Sequence, residues 1–94
     1  MKGYWIVRCR YNDQDAFEKY ASLTTEVVAK TNGRFLVRGG QQLQMENGHF
    51  ARTVLVEFPS MELAKEVYQS KAYQAAFKII ESSADRDFVI VEGL

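Results

Sequence analysis

The sequence predicts an α+β fold in which four antiparallel strands form one sheet and the helices cover one of its faces. Three observations predict it. Strand-like and helix-like segments follow one another in the order strand, helix, strand, strand, helix, strand. The pair Asn47-Gly48, a strong short-range hairpin signal, separates the two middle strands. The runs Tyr4-Trp5-Ile6-Val7, Val54-Leu55-Val56 and Phe88-Val89-Ile90-Val91 are apolar on both faces. Strands of that kind are covered on both sides, and helices on one face leave the other bare.

The first strand runs from Tyr4 to Tyr11. Tyr4, Ile6, Arg8 and Arg10 share one face, and Trp5, Val7, Cys9 and Tyr11 the other. Asn12-Asp13 signals a turn and a helix cap, and Asp13 or Asp15 suits the positive end of a helix. The first helix extends to about Lys30, with Phe17, Tyr20, Ala21, Thr24, Val27 and Val28 as its buried stripe. Glu26 and Lys30 form a favourable pair on its wet side. Gly33 suits the left-handed position past the helix end.

The second strand is expected from Arg34 to Met45, interrupted at Gly39-Gly40. Strict alternation puts Phe35 and Val37 on one face and Arg34, Leu36 and Arg38 on the other. The double glycine reads as a bulge, a sharp bend or a place where a backbone or ligand comes close. Glu46 to His49 is the hairpin turn. The third strand runs from about Ala51 to Phe58, with Val54, Val56 and Phe58 alternating against Thr53, Leu55 and Glu57. Pro59-Ser60 ends it and caps a second helix, Met61 to about Gln69. Ser70 opens a further helix to Ser82 or Ser83, with Tyr73, Ala76, Phe77 and Ile80 as its stripe; the two pieces also read as one kinked helix. Ala84-Asp85-Arg86-Asp87 reads as a polar turn, and Phe88 to Glu92 as the last strand.

This order is the split βαβ, or ferredoxin-like, pattern, spanning residues 1–94 as a single domain. Right-handed crossovers place the first and third strands in the centre and both helical segments on one face. The second apolar face then calls for a partner, and a twofold homodimer packed sheet to sheet, about 10 Å apart, supplies one.

Composition narrows the function. Lys plus Arg number 12 and Asp plus Glu number 12, so there is no basic surplus to attract nucleic acid or an anionic membrane. No apolar run approaches the roughly 20 residues of a membrane span. The first residues alternate and carry Arg8 and Arg10, unlike a secretion signal, and a cytoplasmic location is expected. The lone Cys9 reads as a buried strand residue, and the lone His49 as an exposed loop residue. No ligand-spaced cluster accompanies either, so no metal, haem or other cofactor is expected.

A pocket between the sheet and the helices is the natural place for a ligand. Its candidate residues are Arg8, Arg38 and Glu57 on strands, Tyr20, Tyr68 and Tyr73 on helical stripes, and Ser70 at a helix start. An arginine holds a carboxylate or phosphate as a planar fork, and a tyrosine or Glu57 can move a proton. Arg38 is expected to be partly buried, gripping either Glu57 or a ligand anion. Against this stand plainer assignments: Arg34 and Arg38 as solvated strand residues, Glu57 in a structural ion pair, and the tyrosines as amphipathic core. The function expected is binding or conversion of a small anionic or aromatic molecule by a homodimer. The alternative is a non-catalytic dimerisation or interaction module.

Five stretches carry a resemblance to a known family: Gly3-Tyr4-Trp5-Ile6, Gly33-Arg34-Phe35-Leu36-Val37-Arg38-Gly39-Gly40, Val56-Glu57-Phe58-Pro59-Ser60, Ser70-Lys71-Ala72-Tyr73-Gln74 and Val89-Ile90-Val91-Glu92-Gly93. Together they resemble the bacterial family called domain of unknown function 1330, over nearly the whole chain. The resemblance implies the dimeric α+β barrel fold and no established activity. The wider superfamily includes cofactor-independent monooxygenases, haem-degrading proteins, muconolactone-type isomerases and haem-dependent chlorite-cleaving enzymes. Its haem enzymes commonly use a helical histidine, and this sequence places none on an expected helix.

Overall fold

A computed structural model describes residues 1–94. Its elements are β1 (Gly3–Tyr11), α1 (Gln14–Lys30), β2 (Arg34–Arg38), β3 (Arg52–Phe58), α2 (Met61–Gln69), α3 (Lys71–Ile80) and β4 (Ala84–Glu92). The strands form one sheet in the order β2-β3-β1-β4, with every neighbouring pair antiparallel. β1 and β3 are central, as right-handed crossovers require, and the fold is ferredoxin-like.

Side-chain caps fix the helix ends. Asp13 accepts from the Ala16 N–H at 3.0 Å and starts α1. Asn32, at φ 60°, takes the left-handed position after α1 that was expected of Gly33. Gly33 is needed for space instead: a Cβ there would lie 2.7 Å from the Phe58 ring. Ser60 caps α2 through the Leu63 N–H at 3.1 Å. Ser70 is extended (φ −66°, ψ 153°), so α2 and α3 are separate helices. Its hydroxyl accepts from the Tyr73 N–H at 3.2 Å and donates to the Val67 carbonyl at 2.6 Å, serving both ends at once.

Trp5 is the hub of the core between sheet and helices. Its indole N–H donates to the Ala64 carbonyl at 2.9 Å, which joins β1 to α2. Phe58, Tyr73 and Phe88 surround its ring at centroid distances of 4.9, 5.1 and 5.3 Å. The indole is thus both buried and satisfied, as a core tryptophan must be.

Three features differ from the expectation. First, β2 stops at Arg38, because Gly39 adopts φ 67° and turns the chain aside. Asn47 and Gly48 do form a left-handed turn (φ 55° and 81°), but no ladder flanks it. The Gln42 side chain ties this loop down instead, donating to the Phe50 carbonyl at 3.0 Å and accepting from the Thr53 hydroxyl at 2.8 Å.

Second, β2 contains a β-bulge. Phe35 pairs with Val56, yet Val37 pairs with Leu55, so Leu36 is the extra residue. Paired residues share a face, so Val37 moves to the open face with Leu55. Arg38 moves to the helix face with Val54. Arg34 and Arg38 therefore lie on opposite sides of the sheet, not on the same side.

Third, β4 begins at Ala84, so the expected polar turn is strand. Its charges are cross-strand partners. Asp85 faces Arg10, with their side chains 3.0 Å apart, and Asp87 faces Arg8. This register places Arg86 on the helix face.

The face away from the helices carries Tyr4, Ile6, Leu55, Val37, Val89 and Val91, and the last three are exposed. No helix is long and apolar enough to cross a membrane.

Candidate functional site

A cleft opens between the sheet and α1, enclosing about 470 Å³ with its solvent-facing mouth included. Aromatic and aliphatic side chains make most of its wall, and Arg38, Arg52 and Arg86 supply its charge. Each arginine arrives by a different local device. The bulge at Leu36 turns Arg38 to the helix face, where its guanidinium stacks 3.6 Å over the Phe35 ring, but at the end of an edge strand the residue is exposed and not partly buried as expected. Arg52 opens β3 and lies 4.9 Å from the Phe17 ring centroid. Its guanidinium passes directly over Gly39, occupying the space that any Cβ there would fill. Arg86 enters from the unexpected first half of β4.

The sheet sets the spacing between two of them. Arg52 and Arg86 both pair with Cys9, one from each neighbouring strand. Their backbones are thus two strand spacings apart, roughly 10 Å.

Arg86 is held by two phenols. Its Nη1 donates to the Tyr20 hydroxyl at 3.0 Å, and its Nη2 to the Tyr73 hydroxyl at 3.2 Å. The two hydroxyls are 2.9 Å apart. The Phe77 and Phe88 rings flank the guanidinium at 5.3 and 5.2 Å. Burial opposes the charge on Arg86, but the oxygens of Tyr20 and Tyr73 outweigh it and raise its pKa above the ordinary guanidinium value. Burial pushes the Tyr73 phenol up, with Tyr20 reinforcing and Arg86 opposing. Burial likewise raises Tyr11, reinforced by Cys9.

None of the three cleft arginines has a carboxylate partner. The ion pairs of the chain are Lys2–Glu57, Arg10–Asp85 and Arg34–Glu57. Two further polar atoms in the cleft wall are buried with no hydrogen-bond partner: Arg52 Nε and Thr24 Oγ1.

The candidate residues read from the sequence separate into three groups. Arg38 and Tyr20 line the cleft, and Tyr73 stands behind Tyr20. Tyr68 belongs to the aromatic core, 5.1 Å from Tyr73 and 4.9 Å from Phe88, and Ser70 is a helix cap. Arg8 and Glu57 lie on the other face of the sheet. Arg8 donates to Gln44 at 2.8 Å and to the Phe50 carbonyl at 3.4 Å.

The expected Arg38–Glu57 contact is corrected. Glu57 receives Arg34 Nε at 3.0 Å and the Tyr4 hydroxyl at 3.1 Å, with Lys2 at 3.8 Å. The bulge is the physical reason, since it leaves Arg34 on the face of Glu57 and removes Arg38 from it. Burial alone would raise the Glu57 carboxyl; the hydrogen bonds from Tyr4 and Arg34 and the charges of Arg34 and Lys2 hold it below its usual value.

Sequence reasoning missed Arg52 and Arg86 as cleft residues, and it took Thr24 for plain core. For Arg86 a signal existed: Ala84, Arg86, Phe88 and Ile90 keep one alternation, and Asp85 and Asp87 answer Arg10 and Arg8.

Solved structures share this fold. A protein of unknown function from Rhodopseudomonas palustris matches with a TM-score of 0.77 at 17% identity, over 99% of this chain and 82% of that one. A dimeric ferredoxin-like protein of unknown function from Jannaschia sp. CCS1 matches with a TM-score of 0.80 at 12% identity, over 99% of this chain and all (100%) of that one. SnoaB, a cofactor-independent oxygenase from Streptomyces nogalater, matches with a TM-score of 0.64 at 8% identity, over 99% and 93% of the two chains. At these identities the likeness is one of fold. No curated protein matches the sequence. The sequence does match the model of one family, described as Domain of unknown function (DUF1330), across residues 2–94, and the chain belongs to that family.

Proposed function

We propose that this protein binds a small organic anion in the cleft between its sheet and α1, and that residues 1–94 act as one domain of a homodimer joined through the open sheet faces. The observation that carries the binding reading is the uncompensated charge of Arg38, Arg52 and Arg86. Charge withdrawn from water is ordinarily paired; Arg52 and Arg86 are half-buried, Arg38 stands exposed at the mouth, and the chain offers them only hydroxyls and rings. A carboxylate supplies what is missing, because it matches the planar fork of a guanidinium. The presence of a cleft, where a pure interaction module would have a filled core, favours ligand binding over the module. The balance of 12 cationic and 12 anionic side chains favours a small ligand over nucleic acid. A cytoplasmic setting suits a chain with one free, buried thiol.

The dimer reading rests on the apolar open face, where Val37, Val89 and Val91 stand exposed beside Ile6 and Leu55. The dimeric state of the Jannaschia protein, which has this fold, supports it.

Thermal shift with benzoate, inorganic phosphate and chloride at matched ionic strength tests the ligand. Benzoate is expected to raise the melting temperature and chloride to leave it unchanged. Arg52→Gln is expected to abolish the benzoate shift. Absence of any anion-specific shift would rule the reading out. Sedimentation equilibrium is expected to give twice the chain mass of 10.8 kDa, and Val89→Asp to give the single mass.

A further inference from the structure

The direction of one hydrogen bond says what the inner end of the cleft asks of a ligand. Arg86 donates to both the Tyr20 and Tyr73 oxygens, which are 2.9 Å apart. Tyr73 has no exposure to solvent, and burial keeps its phenol protonated. Its proton has one oxygen to go to, that of Tyr20. Tyr20 then accepts two hydrogen bonds, one from Arg86 and one from Tyr73, which fills its acceptor capacity. Its own proton must point elsewhere. Tyr20 lines the cleft, whereas Tyr73 does not, and no acceptor from the chain receives that proton. The Tyr20 O–H is a donor aimed at the cleft.

A second hydroxyl on the same helix face is also unused. Helical threonines usually bond back to the carbonyl four residues earlier. Thr25 does so with Ala21 at 2.7 Å, and Thr31, just past the helix, with Val27 at 2.8 Å. Thr24 does not, although it is only 6% exposed and sits in the cleft wall. Both α1 hydroxyls are therefore buried in the wall with a proton that no chain acceptor receives. Arg38 and Arg52 approach from β2 and β3, and Arg86 with Tyr20 from the β4 side, across roughly 10 Å of sheet. The rings of Phe17, Phe35 and Phe88 line the space between.

Building on the anion-binding reading above, we propose that the ligand is an aromatic carboxylate carrying an oxygen on the far side of its ring. Its carboxylate meets Arg38 and Arg52, its ring fills the aromatic middle, and its ring oxygen accepts the Tyr20 hydrogen bond. A site built to bond a ligand hydroxyl discriminates against the analogue that lacks it, because a buried donor is then left unpaired.

Calorimetric titration of the full chain with para-hydroxybenzoate, benzoate and cyclohexanecarboxylate tests this. Para-hydroxybenzoate is expected to bind about 10-fold more tightly than benzoate, and benzoate more tightly than cyclohexanecarboxylate. In Tyr20→Phe, which keeps the ring and its packing, the preference for para-hydroxybenzoate is expected to vanish while benzoate binds as before. Thr24→Val is a second variant, and it is expected to weaken para-hydroxybenzoate more than benzoate. Equal affinity for the two benzoates, or a preference that survives Tyr20→Phe, overturns the proposal and leaves the anion site standing. Failure of all three carboxylates to bind removes both.

Discussion

On the open face of the sheet, Glu57 gathers Arg34, Lys2 and the Tyr4 hydroxyl, and Arg10 meets Asp85 across the strands. On the helix face, Arg38, Arg52 and Arg86 meet only rings and hydroxyls. The two faces use the same residue type in opposite ways. On the open face Arg10 and Arg34 each have a carboxylate, while Arg8 meets Gln44 and the Phe50 carbonyl, although exposed pairs contribute little to stability. On the helix face, where Arg52 and Arg86 are half-buried and an unpaired charge costs more, the carboxylate is missing. That inversion is what the proposed ligand anion would resolve.

The contrast can be broken or sharpened by measurement, starting with the largest effect. Trp5→Ala empties the hub of the helix face and is expected to cost about 3–5 kcal/mol in urea unfolding. A loss under 1 kcal/mol would mean that the helix face is not the main core.

Next comes the pair Tyr73→Phe and Arg86→Met. Tyr73→Phe strips Arg86 of one of its two oxygen partners and is expected to cost about 1–3 kcal/mol. Arg86→Met leaves the two tyrosines bonded to each other and removes a buried cation that lacks a carboxylate. It is expected to change stability by no more than about 1 kcal/mol, while the benzoate thermal shift, which rests on Arg38 and Arg52, persists. If Arg86→Met were instead the more destabilising of the two, Arg86 would be structural and the two faces would not differ in kind.

The smallest effect belongs to the open face and depends on pH. Glu57 is held below its ordinary value of 4.5 in the folded protein. Its contribution is therefore fully present above that value. It is lost as acid protonates the unfolded chain first and then the folded one. The stability gap between wild type and Glu57→Gln is expected to be largest near neutral pH and to close below pH 4.5, as followed by denaturant unfolding. A gap that persists unchanged into acid would show that Arg34 and Lys2 do not favour the charged form.

Much of the fold was legible because its elements keep one period. β1, α1 and α2 carry clean alternation or a clean stripe, and Asp13, Ser60 and Ser70 announce the helix starts. The site was legible only in part. Tyr20 and Tyr73 stand on stripes, so their helices place them. Arg38 could not be placed, because its side depends on how β2 registers against β3, and a strand's own alternation carries no record of a bulge. Arg86 was hidden by polarity: Asp85-Arg86-Asp87 looks like a turn until Arg8 and Arg10 are set opposite it. Arg52 sits at the very start of its strand, where alternation has not yet begun.

The extra residue Leu36 works as a parity bit. Read along β2, it inverts the meaning of odd and even for every position after it, so that Val37 and Arg38 exchange sides. Substitutions at Arg38 alter one wall of the cleft by degrees. Losing the single codon for Leu36 would leave Phe35, Val37 and Arg38 alternating opposite the same Val56, Leu55 and Val54, so the arginine would keep its side of the sheet. Smoothing the bulge with every residue kept would instead put Val37 on the cleft side and Arg38 on the open face. Comparisons of relatives that align residues by identity, without counting across this bulge, will match arginines that face opposite ways.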